Sequence, residues 1–287
     1  MSENKKLPNQ SLKIPKVILT TAKLLEILSS NWATLFAAKL FTTPIKHKIP
    51  KRELHMEEKS IQKRLLIPSI NKEIVVYQYG KSERKILLVH GWSGRGTQLV
   101  KIADALLELG FSTISFDAPA HGKSKGKTTL MPEFIASILE LEKQFGPFEF
   151  AIGHSLGGMS ILNAIASGFK TKKAITIGSA DIIQDIIDDF VVQLQLNPSF
   201  GIKLRDHFET KFNTEMDSYS ASRAAKSVTI PVLIVHDAND TDVNVKSAYH
   251  IHENLKNSEL LITEGFGHRK ILRNEAVIKN ILKFIQP

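Results

Sequence analysis

Cysteine is absent from this chain of 287 residues. Its absence excludes disulfide bonds, thiolate metal sites and a cysteine nucleophile. It is compatible with a reducing compartment, so we expect a cytoplasmic protein. The chain also has no HExxH motif and no other cluster of His, Asp and Glu at metal-ligand spacing. We therefore expect neither a metal nor another cofactor.

The chain has no apolar run long enough to span a bilayer, which needs about 20 residues. Its most apolar stretch, residues 17–41, is interrupted by Lys23, Glu26 and Lys39. Polar residues recur there at helical spacing, at Thr20, Lys23, Ser30 and Thr34. Apolar residues occupy mostly another face, at Ile18, Ala22, Leu25, Trp32 and Phe36. This pattern predicts an amphipathic helix within a basic N-terminal segment, residues 1–60.

Acidic residues are fewer than basic ones. The net charge is +9, and the excess of positive charge lies at the N-terminal end. Residues 1–72 hold 14 Lys and Arg against 5 Asp and Glu, whereas residues 73–287 hold 24 of each. A neutral body without a basic reading face argues against a nucleic-acid partner. The basic segment has three alternative explanations: a helix packed on the body, peripheral membrane contact through residues 1–72, or a secretory signal.

From about residue 61, short apolar runs alternate with helical patterns. We predict strands at residues 64–68, 73–79, 85–90, 112–117, 148–153, 173–178, 231–237 and 258–263. Helices are predicted at residues 97–109, 129–145, 156–167 and 271–285. This alternation indicates an α/β fold with a mostly parallel sheet and helices on both faces. The core comprises residues 61–180 and 227–287, and residues 181–226 form a helical cap or lid insertion.

Polar and glycine-rich clusters follow five of the predicted strands. They read HGWSG (90–94), DAPAHGKS (117–124), GHSLGG (153–158), DANDTDV (237–243) and GFGH (265–268). Ligands of open parallel sheets bind outside the carboxyl ends of the strands. We therefore expect these clusters to form one site.

The cluster GHSLGG matches G-x-S-x-G between a strand and a helix. Small residues two positions either side of Ser155 allow the sharp turn that exposes a nucleophilic hydroxyl. The alternative is a chance glycine-rich turn, which the strand–turn–helix context argues against. Serine needs a general base, and His268 follows the last strand, from where it can reach Ser155. His154 should point away from the nucleophile, and His121 and His236 are weaker candidates for the base.

The base in turn needs an acid to orient it, and the loop after residue 236 offers three. We predict Asp240, at the loop apex, as this acid and keep Asp237 as the second candidate. Asp242 precedes a predicted helix and is interpreted as its N-cap. Asp181, after the preceding strand, is a more distant alternative.

An acyl-transfer site also needs two hydrogen-bond donors for the oxyanion. The glycines of HGWSG permit close approach, so we predict the backbone N–H groups of Trp92 and Leu156 as these donors. A plain glycine-rich turn is the alternative. Asp117 and His121 are interpreted as residues that organise loops near the site.

In this order, the five motifs resemble the α/β-hydrolase superfamily over residues 62–287, and most closely its small serine esterases and lipase-like members with a short cap. The chain departs from the family pattern at Asp237, where glycine is frequent, and at Ala120. The resemblance implies an eight-stranded sheet, a Ser155–His268–Asp240 triad and oxyanion donors at Trp92 and Leu156. It implies hydrolysis of a small-molecule ester with a small or medium apolar acyl group, without a cofactor. Alternatives are a thioesterase, an amidase, a C–C bond hydrolase or a non-catalytic binding protein on the same scaffold.

Overall fold

A computed structural model describes residues 14–286 of the chain. The strands are β1 Ile61–Ile67, β2 Lys72–Tyr79, β3 Lys85–Val89, β4 Ser112–Asp117, β5 Phe150–His154, β6 Lys173–Ile177, β7 Val232–Asp237 and β8 Ser258–Thr263. The helices are α1 Lys16–Leu28, α2 Ser30–Phe41, α3 Leu54–Lys59, α4 Val100–Glu108, α5 Met131–Phe145, α6 Leu156–Ala166, α7 Ile183–Gln193, α8 Phe200–Phe212, α9 Ala221–Ala225, α10 Lys246–Asn254, α11 Gly267–Lys270 and α12 Glu275–Ile285. Each predicted strand and helix of the core has a counterpart here.

The eight strands form one sheet in the order β1-β2-β4-β3-β5-β6-β7-β8. The β1–β2 and β2–β4 pairs are antiparallel, and every other pair is parallel. Parallel neighbours carry their loops at the same edge, so the segments after β3, β5, β6, β7 and β8 open on one side. The prediction of a mostly parallel eight-stranded sheet is confirmed.

The central strands are apolar along their whole length because both faces of the sheet are covered. Along β3, Leu87 and Val89 enter one core cluster, while Ile86 and Leu88 enter the other. Helices α5 and α6 cover the first face, and α4 and α12 cover the second. Two cores on opposite sides of one sheet explain why continuous apolar runs, rather than alternating ones, marked these strands.

The N-terminal segment differs from the single predicted helix. Ser29 has an extended backbone (φ −163°, ψ 120°) and separates α1 from α2, and its hydroxyl accepts a hydrogen bond from Trp32 N–H. The break resets the helical phase. As a result Trp32 is exposed and Thr34 is buried, the reverse of the predicted assignment.

Residues 181–226 lie between β6 and β7 and hold α7, α8 and α9, with no strand. We call this segment the insertion. Helix α2 packs against it, because the Phe41 ring lies 5.2 Å from that of Phe190 and 5.6 Å from that of Phe208. The N-terminal helices and the insertion thus form one helical layer over the carboxyl edge of the sheet. None of the helices in residues 14–286 has the length and apolarity needed to cross a membrane.

Candidate active site

Ser155 occupies the sharp turn between β5 and α6. Its φ of 53° and ψ of −122° are strained for a residue with a side chain, and its N–H donates to the Ile177 carbonyl at 2.9 Å. Non-glycine residues at positive φ are uncommon and cluster at functional sites. The backbone around Ser155 is therefore forced by its surroundings rather than by its own preference.

Close packing explains the glycines around this turn. A side chain at Gly153 would collide with the backbone of Gly157, and one at Gly157 would collide with the carbonyl oxygen of Val89. A Cβ at Gly91 would lie 2.9 Å from the Cβ of Ser155. Gly91, Gly153 and Gly157 thus serve one purpose, which is to let the end of β3 approach the serine turn.

His268 and Asp240 meet in a buried hydrogen bond. The distance between Nδ1 of His268 and Oδ2 of Asp240 is 2.7 Å, and both side chains are almost entirely inaccessible to solvent. The second carboxylate oxygen accepts from the backbone N–H groups of Asp242 and Val243, at 2.8 and 2.9 Å. Burial raises the pKa of Asp240, but the bond from His268 and these two N–H groups outweigh it, so the pKa lies below its usual value. Asp240 is therefore an ionised acceptor that fixes the proton of His268 on Nδ1.

The other candidate carboxylates have different partners. Asp237 accepts hydrogen bonds from Asn239 N–H, Phe266 N–H and the Thr263 hydroxyl, so it ties the loop after β7 to the end of β8. Asp181 contacts His250 and accepts from Ser222 N–H. Neither carboxylate is bonded to His268.

The N-cap prediction for Asp242 was wrong. The helix it was expected to begin starts at Lys246, three residues later than Val243, and Asn244 accepts from the Lys246 N–H. The backbone at Asp242 and Val243 is instead drawn towards Asp240, whose carboxylate accepts both N–H groups. Because the Asp240 carboxylate holds these two N–H groups, helix α10 begins only at Lys246.

The imidazole of His268 lies against residues that adjoin Ser155. Gly178 follows Ile177, the residue bonded to Ser155 N–H, and a Cβ at Gly178 would lie 3.2 Å from Nδ1 of His268. The ring of His154 is 4.6 Å from the ring of His268. Residues that adjoin Ser155 therefore contact the His268 imidazole, and a direct partnership of Ser155 with His268 stays a prediction. Gly178, with a φ of 57°, was missed because its role depends on two distant loops.

His154 holds the backbone of His268. Its Nε2 lies 2.8 Å from the His268 carbonyl oxygen and must donate to it, while its buried Nδ1 has no hydrogen-bond partner among residues 14–286. Burial lowers the pKa of His154 to about 3, helped by the nearby His268 ring. His154 is therefore a neutral positioning group bonded to the His268 backbone. His236 is likewise buried, and its Nε2 donates to the Val243 carbonyl at 3.0 Å.

The loop HGWSG is held rigidly beside Ser155. His90 donates from Nδ1 to the Gly91 carbonyl at 2.7 Å, and the Gly91 N–H donates to the Gln98 side chain at 3.0 Å. Within the described part of the chain, the N–H groups of Trp92 and Leu156 have no hydrogen-bond partner. One of these N–H groups directly follows Ser155 and the other lies in the adjoining HGWSG loop, and backbone N–H groups are suitable donors to an anionic oxygen.

Asp117 and His121 organise the neighbouring loops. Asp117 accepts from Gly96 N–H at 2.7 Å and from the Tyr77 hydroxyl at 2.9 Å. His121 accepts from Ser93 N–H at 3.0 Å and donates to the Pro119 carbonyl. Burial lowers the pKa of His121 to about 4, so this ring is neutral at pH 7. Both side chains have the loop-organising contacts that the sequence analysis expected.

The N-terminal segment also supports the HGWSG loop, which the sequence did not indicate. The Ile45 N–H donates to the Ser93 hydroxyl at 3.0 Å. Glu53, fully buried, accepts from Arg95 at 3.1 Å and from the Thr97 hydroxyl at 2.9 Å. A signal was present, because a buried arginine directly after this loop needs an acidic partner. Spacing alone could not identify that partner 42 residues away.

A cavity of about 1460 Å³ opens over Ser155. Its walls combine core and α6 residues with the insertion and with α2. The apolar lining includes Leu35, Phe41, Met159, Ile186, Phe190 and Phe208. Acidic residues of α7 reach the same cavity, and burial together with neighbouring carboxylates raises the pKa of Asp185 and Asp189. Within residues 14–286, no group of three potential ligand side chains is arranged to hold a metal ion.

Comparison with known proteins agrees with this architecture. The profile of the alpha/beta hydrolase fold matches residues 85–221, and that of the TAP-like proteins matches residues 210–287. A search of curated protein sequences found no match.

Solved structures share the fold at low sequence identity. An esterase of Pyrococcus furiosus superposes with a TM-score of 0.65 at 16% identity, covering 85% of this chain and 97% of that chain. A monoacylglycerol lipase of Paleococcus ferrophilus superposes with a TM-score of 0.58 at 19% identity, covering 74% of this chain and 98% of that chain. A bromoperoxidase of Bacillus anthracis superposes with a TM-score of 0.61 at 17% identity, covering 78% of this chain and 99% of that chain.

Proposed function

This chain belongs to the α/β-hydrolase superfamily, and we propose that it is a serine hydrolase that cleaves carboxylic esters through an acyl-enzyme. The observation that carries the proposal is the buried hydrogen bond between His268 and Asp240 beside the strained turn at Ser155. Because Asp240 accepts the proton on Nδ1, the lone pair of His268 is on Nε2. A general base needs this lone pair on Nε2 to accept the proton of the serine hydroxyl.

The reaction begins when the Ser155 hydroxyl oxygen attacks the ester carbonyl carbon and Nε2 of His268 takes the hydroxyl proton. The carbonyl π electrons move to oxygen, where the N–H groups of Trp92 and Leu156 stabilise the negative charge. Collapse of this intermediate breaks the bond to the alkoxy group. His268 returns the proton to that oxygen, so alcohol leaves and the acyl group remains on Ser155.

Deacylation repeats these steps with water. His268 removes a proton from the water as its oxygen attacks the acyl carbon, and the same two N–H groups bind the oxyanion. The intermediate then releases the carboxylic acid, and the proton returns to Ser155. Asp240 stays ionised throughout and stabilises the imidazolium, in keeping with its low pKa.

The lining of the cavity favours an ester with an apolar acyl group, and a small or medium size of that group stays a prediction. Aromatic and aliphatic side chains from α2, α7 and α8 line it beside Ser155, and they supply apolar surface for such a group. A thioester, an amide or a C–C bond would meet the same triad. The triad therefore does not decide which of these bonds is cleaved. The esterase and lipase structures with this fold add support for an ester.

The test is hydrolysis of short p-nitrophenyl esters by the wild-type protein and by Ser155→Ala. We expect turnover in the wild type and a loss of about 10⁴-fold or more in the variant. A fluorophosphonate probe should label the wild type at Ser155 only. Folded wild-type protein that is neither labelled nor active would instead indicate a binding protein on this scaffold, and unchanged turnover in Ser155→Ala would remove the serine assignment.

An acyl chain-length series and a panel of thioesters and amides complete the assignment. Highest kcat/KM for an ester would support the proposal. A markedly higher value for a thioester or an amide would move the protein to the corresponding alternative while leaving the triad in place.

A further inference from the structure

The two N-terminal helices carry large apolar side chains on the outside as well as on the inner side, where Ile18, Leu25, Phe36, Leu40 and Phe41 pack against the core cluster. Their buried positions in the core cluster are small: Ala22, Ala33, Ala37 and Ala38. Six large apolar side chains, between 46% and 82% exposed, form what we call the N-terminal apolar face: Val17, Leu24, Ile27, Leu28, Trp32 and Leu35. A helix that packs on the body by one side normally carries polar residues on the opposite side, so this second, exposed apolar side indicates a surface that binds a partner.

The face is continuous along the chain and reaches the cavity. Leu24, Ile27, Leu28 and Trp32 lie within nine residues around the break at Ser29. Within α2, Trp32 and Leu35 are three residues apart and therefore share one side of the helix. Leu35 also lines the cavity above Ser155. A partner bound to this face would touch the cavity wall.

Specific contacts keep the face directed outward. The Glu26 carboxylate accepts from the Asn197 N–H at 2.7 Å, and Lys203 donates to the Ser30 hydroxyl at 2.6 Å. At the other end of α2, the Phe41 ring packs on rings from α7 and α8. These contacts join both helices to the insertion, so turning the apolar side chains inward would break them.

The charge around the face identifies its partner. Residues 14–50 contain five lysines, all exposed, and one acidic residue, Glu26, which is engaged by Lys23 and by the Asn197 N–H. By spacing, Lys16 and Lys23 share the outer side of α1, and Lys39 shares that of α2 with Leu35. Lysines bordering apolar residues complement anionic lipid headgroups above an acyl region. A second copy of the same face would instead bring lysines together, which disfavours a dimer.

We propose that the N-terminal apolar face docks on the surface of an anionic lipid bilayer. Helices α1 and α2 lie in the plane of the headgroups, with the apolar side chains in the upper acyl region and the lysines on lipid phosphates. Through Leu35, the mouth of the cavity then faces the lipid. This docking goes beyond the proposed ester hydrolysis and does not depend on it.

Flotation with unilamellar vesicles of phosphatidylcholine, with or without phosphatidylglycerol, tests the proposal on the full chain. The informative variant is Ile27→Glu/Leu28→Glu, which places two carboxylates in the face. The matched control is Ile61→Glu/Leu66→Glu, two similarly exposed positions on β1 at the edge of the sheet. We expect the first variant to lower the partition coefficient on anionic vesicles by roughly 10-fold or more, and the control to leave it within about 3-fold.

The fluorescence of Trp32 gives a second, independent reading. The chain has two tryptophans, so Trp92→Phe leaves Trp32 as the single reporter. On anionic vesicles its emission should shift to shorter wavelength, and lipids brominated on the acyl chain should quench it. Raising the salt concentration should weaken binding, because the lysine contribution is screened.

Four results would overturn the proposal. They are no binding by the wild type, an equal loss in the control, equal binding to neutral and anionic vesicles, and concentration-dependent dimerisation that Ile27→Glu/Leu28→Glu abolishes. Hydrolysis of a soluble short ester by the same variant separates the two proposals. We expect that activity to be unchanged, because Ile27 and Leu28 do not line the cavity, and unchanged activity also shows that the variant is folded.

Discussion

Replacing Asp240 by asparagine changes one atom of the proposed triad and tests its central contact. In the folded protein one carboxylate oxygen accepts from the Asp242 and Val243 N–H groups, and the other accepts from His268. The amide oxygen of asparagine can keep the two backbone bonds. Its NH₂ group must then face Nδ1 of His268.

This geometry reverses the tautomer of the imidazole. A donor opposite Nδ1 forces that nitrogen to accept, so the proton moves to Nε2 and His268 can no longer take a proton from Ser155. The expected loss in kcat is about 10⁴-fold, equivalent to about 5.5 kcal/mol of transition-state stabilisation. Loss of a charge-assisted hydrogen bond should lower the free energy of unfolding by only about 1–2 kcal/mol. Activity should therefore collapse in a protein that stays folded.

Asp237→Asn is the matched control, because Asp237 is the last residue of β7, directly before the loop of Asp240, and its carboxylate also accepts three hydrogen bonds, none of them from His268. We expect it to lower stability by a similar amount while kcat stays within about 10-fold of wild type. The assay is steady-state hydrolysis of a p-nitrophenyl ester, with near-UV circular dichroism and urea unfolding on each variant. Full activity in Asp240→Asn together with an inactive Asp237→Asn would refute the assignment of the acid.

Three further predictions follow from other contacts. Gly178→Ala places a Cβ 3.2 Å from the imidazole of the proposed base at a φ of 57°, so kcat/KM should fall by about 10- to 100-fold and stability by about 1–2 kcal/mol. Glu53→Gln leaves the buried Arg95 without its ion-pair partner, so urea unfolding should show a loss of about 3–5 kcal/mol. Burial lowers the pKa of His121 to about 4 and that of His154 to about 3, whereas an unfolded histidine ionises near pH 6.5. The unfolded chain therefore binds more protons below that pH, and the free energy of unfolding should fall by several kcal/mol between about pH 7 and pH 4.

Gly110 also has a positive φ, but a Cβ there would meet nothing within 4 Å, so Gly110→Ala should lose stability and keep activity. If both glycine variants lose activity equally, the contact with the imidazole is not the cause. Glu73→Gln, which breaks an exposed pair with Arg64, should leave stability almost unchanged. A free energy of unfolding that stays constant from pH 7 to pH 4 would contradict neutral buried imidazoles.

Local sequence signals were sufficient wherever the structure is decided by neighbours in the chain. The apolar runs of β3 and β7 and the glycines around Ser155 each constrain a few consecutive residues. The N-terminal segment shows where such signals fail. Periodicity over residues 17–41 predicted one helix, but a single serine that caps the following helix divides it and reverses the environment of Trp32.

The sequence by itself determined the alternation of strands and helices, the sharp serine turn and the loops that carry the proposed base and acid, because each depends on backbone preferences and burial over a few residues. The tertiary structure decided which aspartate meets His268, why Gly178 has no side chain, that Glu53 neutralises Arg95, and that α2 lines the cavity. These facts depend on contacts between segments far apart in the chain. Sheet register and helix packing set those distances, and no local pattern of residues encodes them.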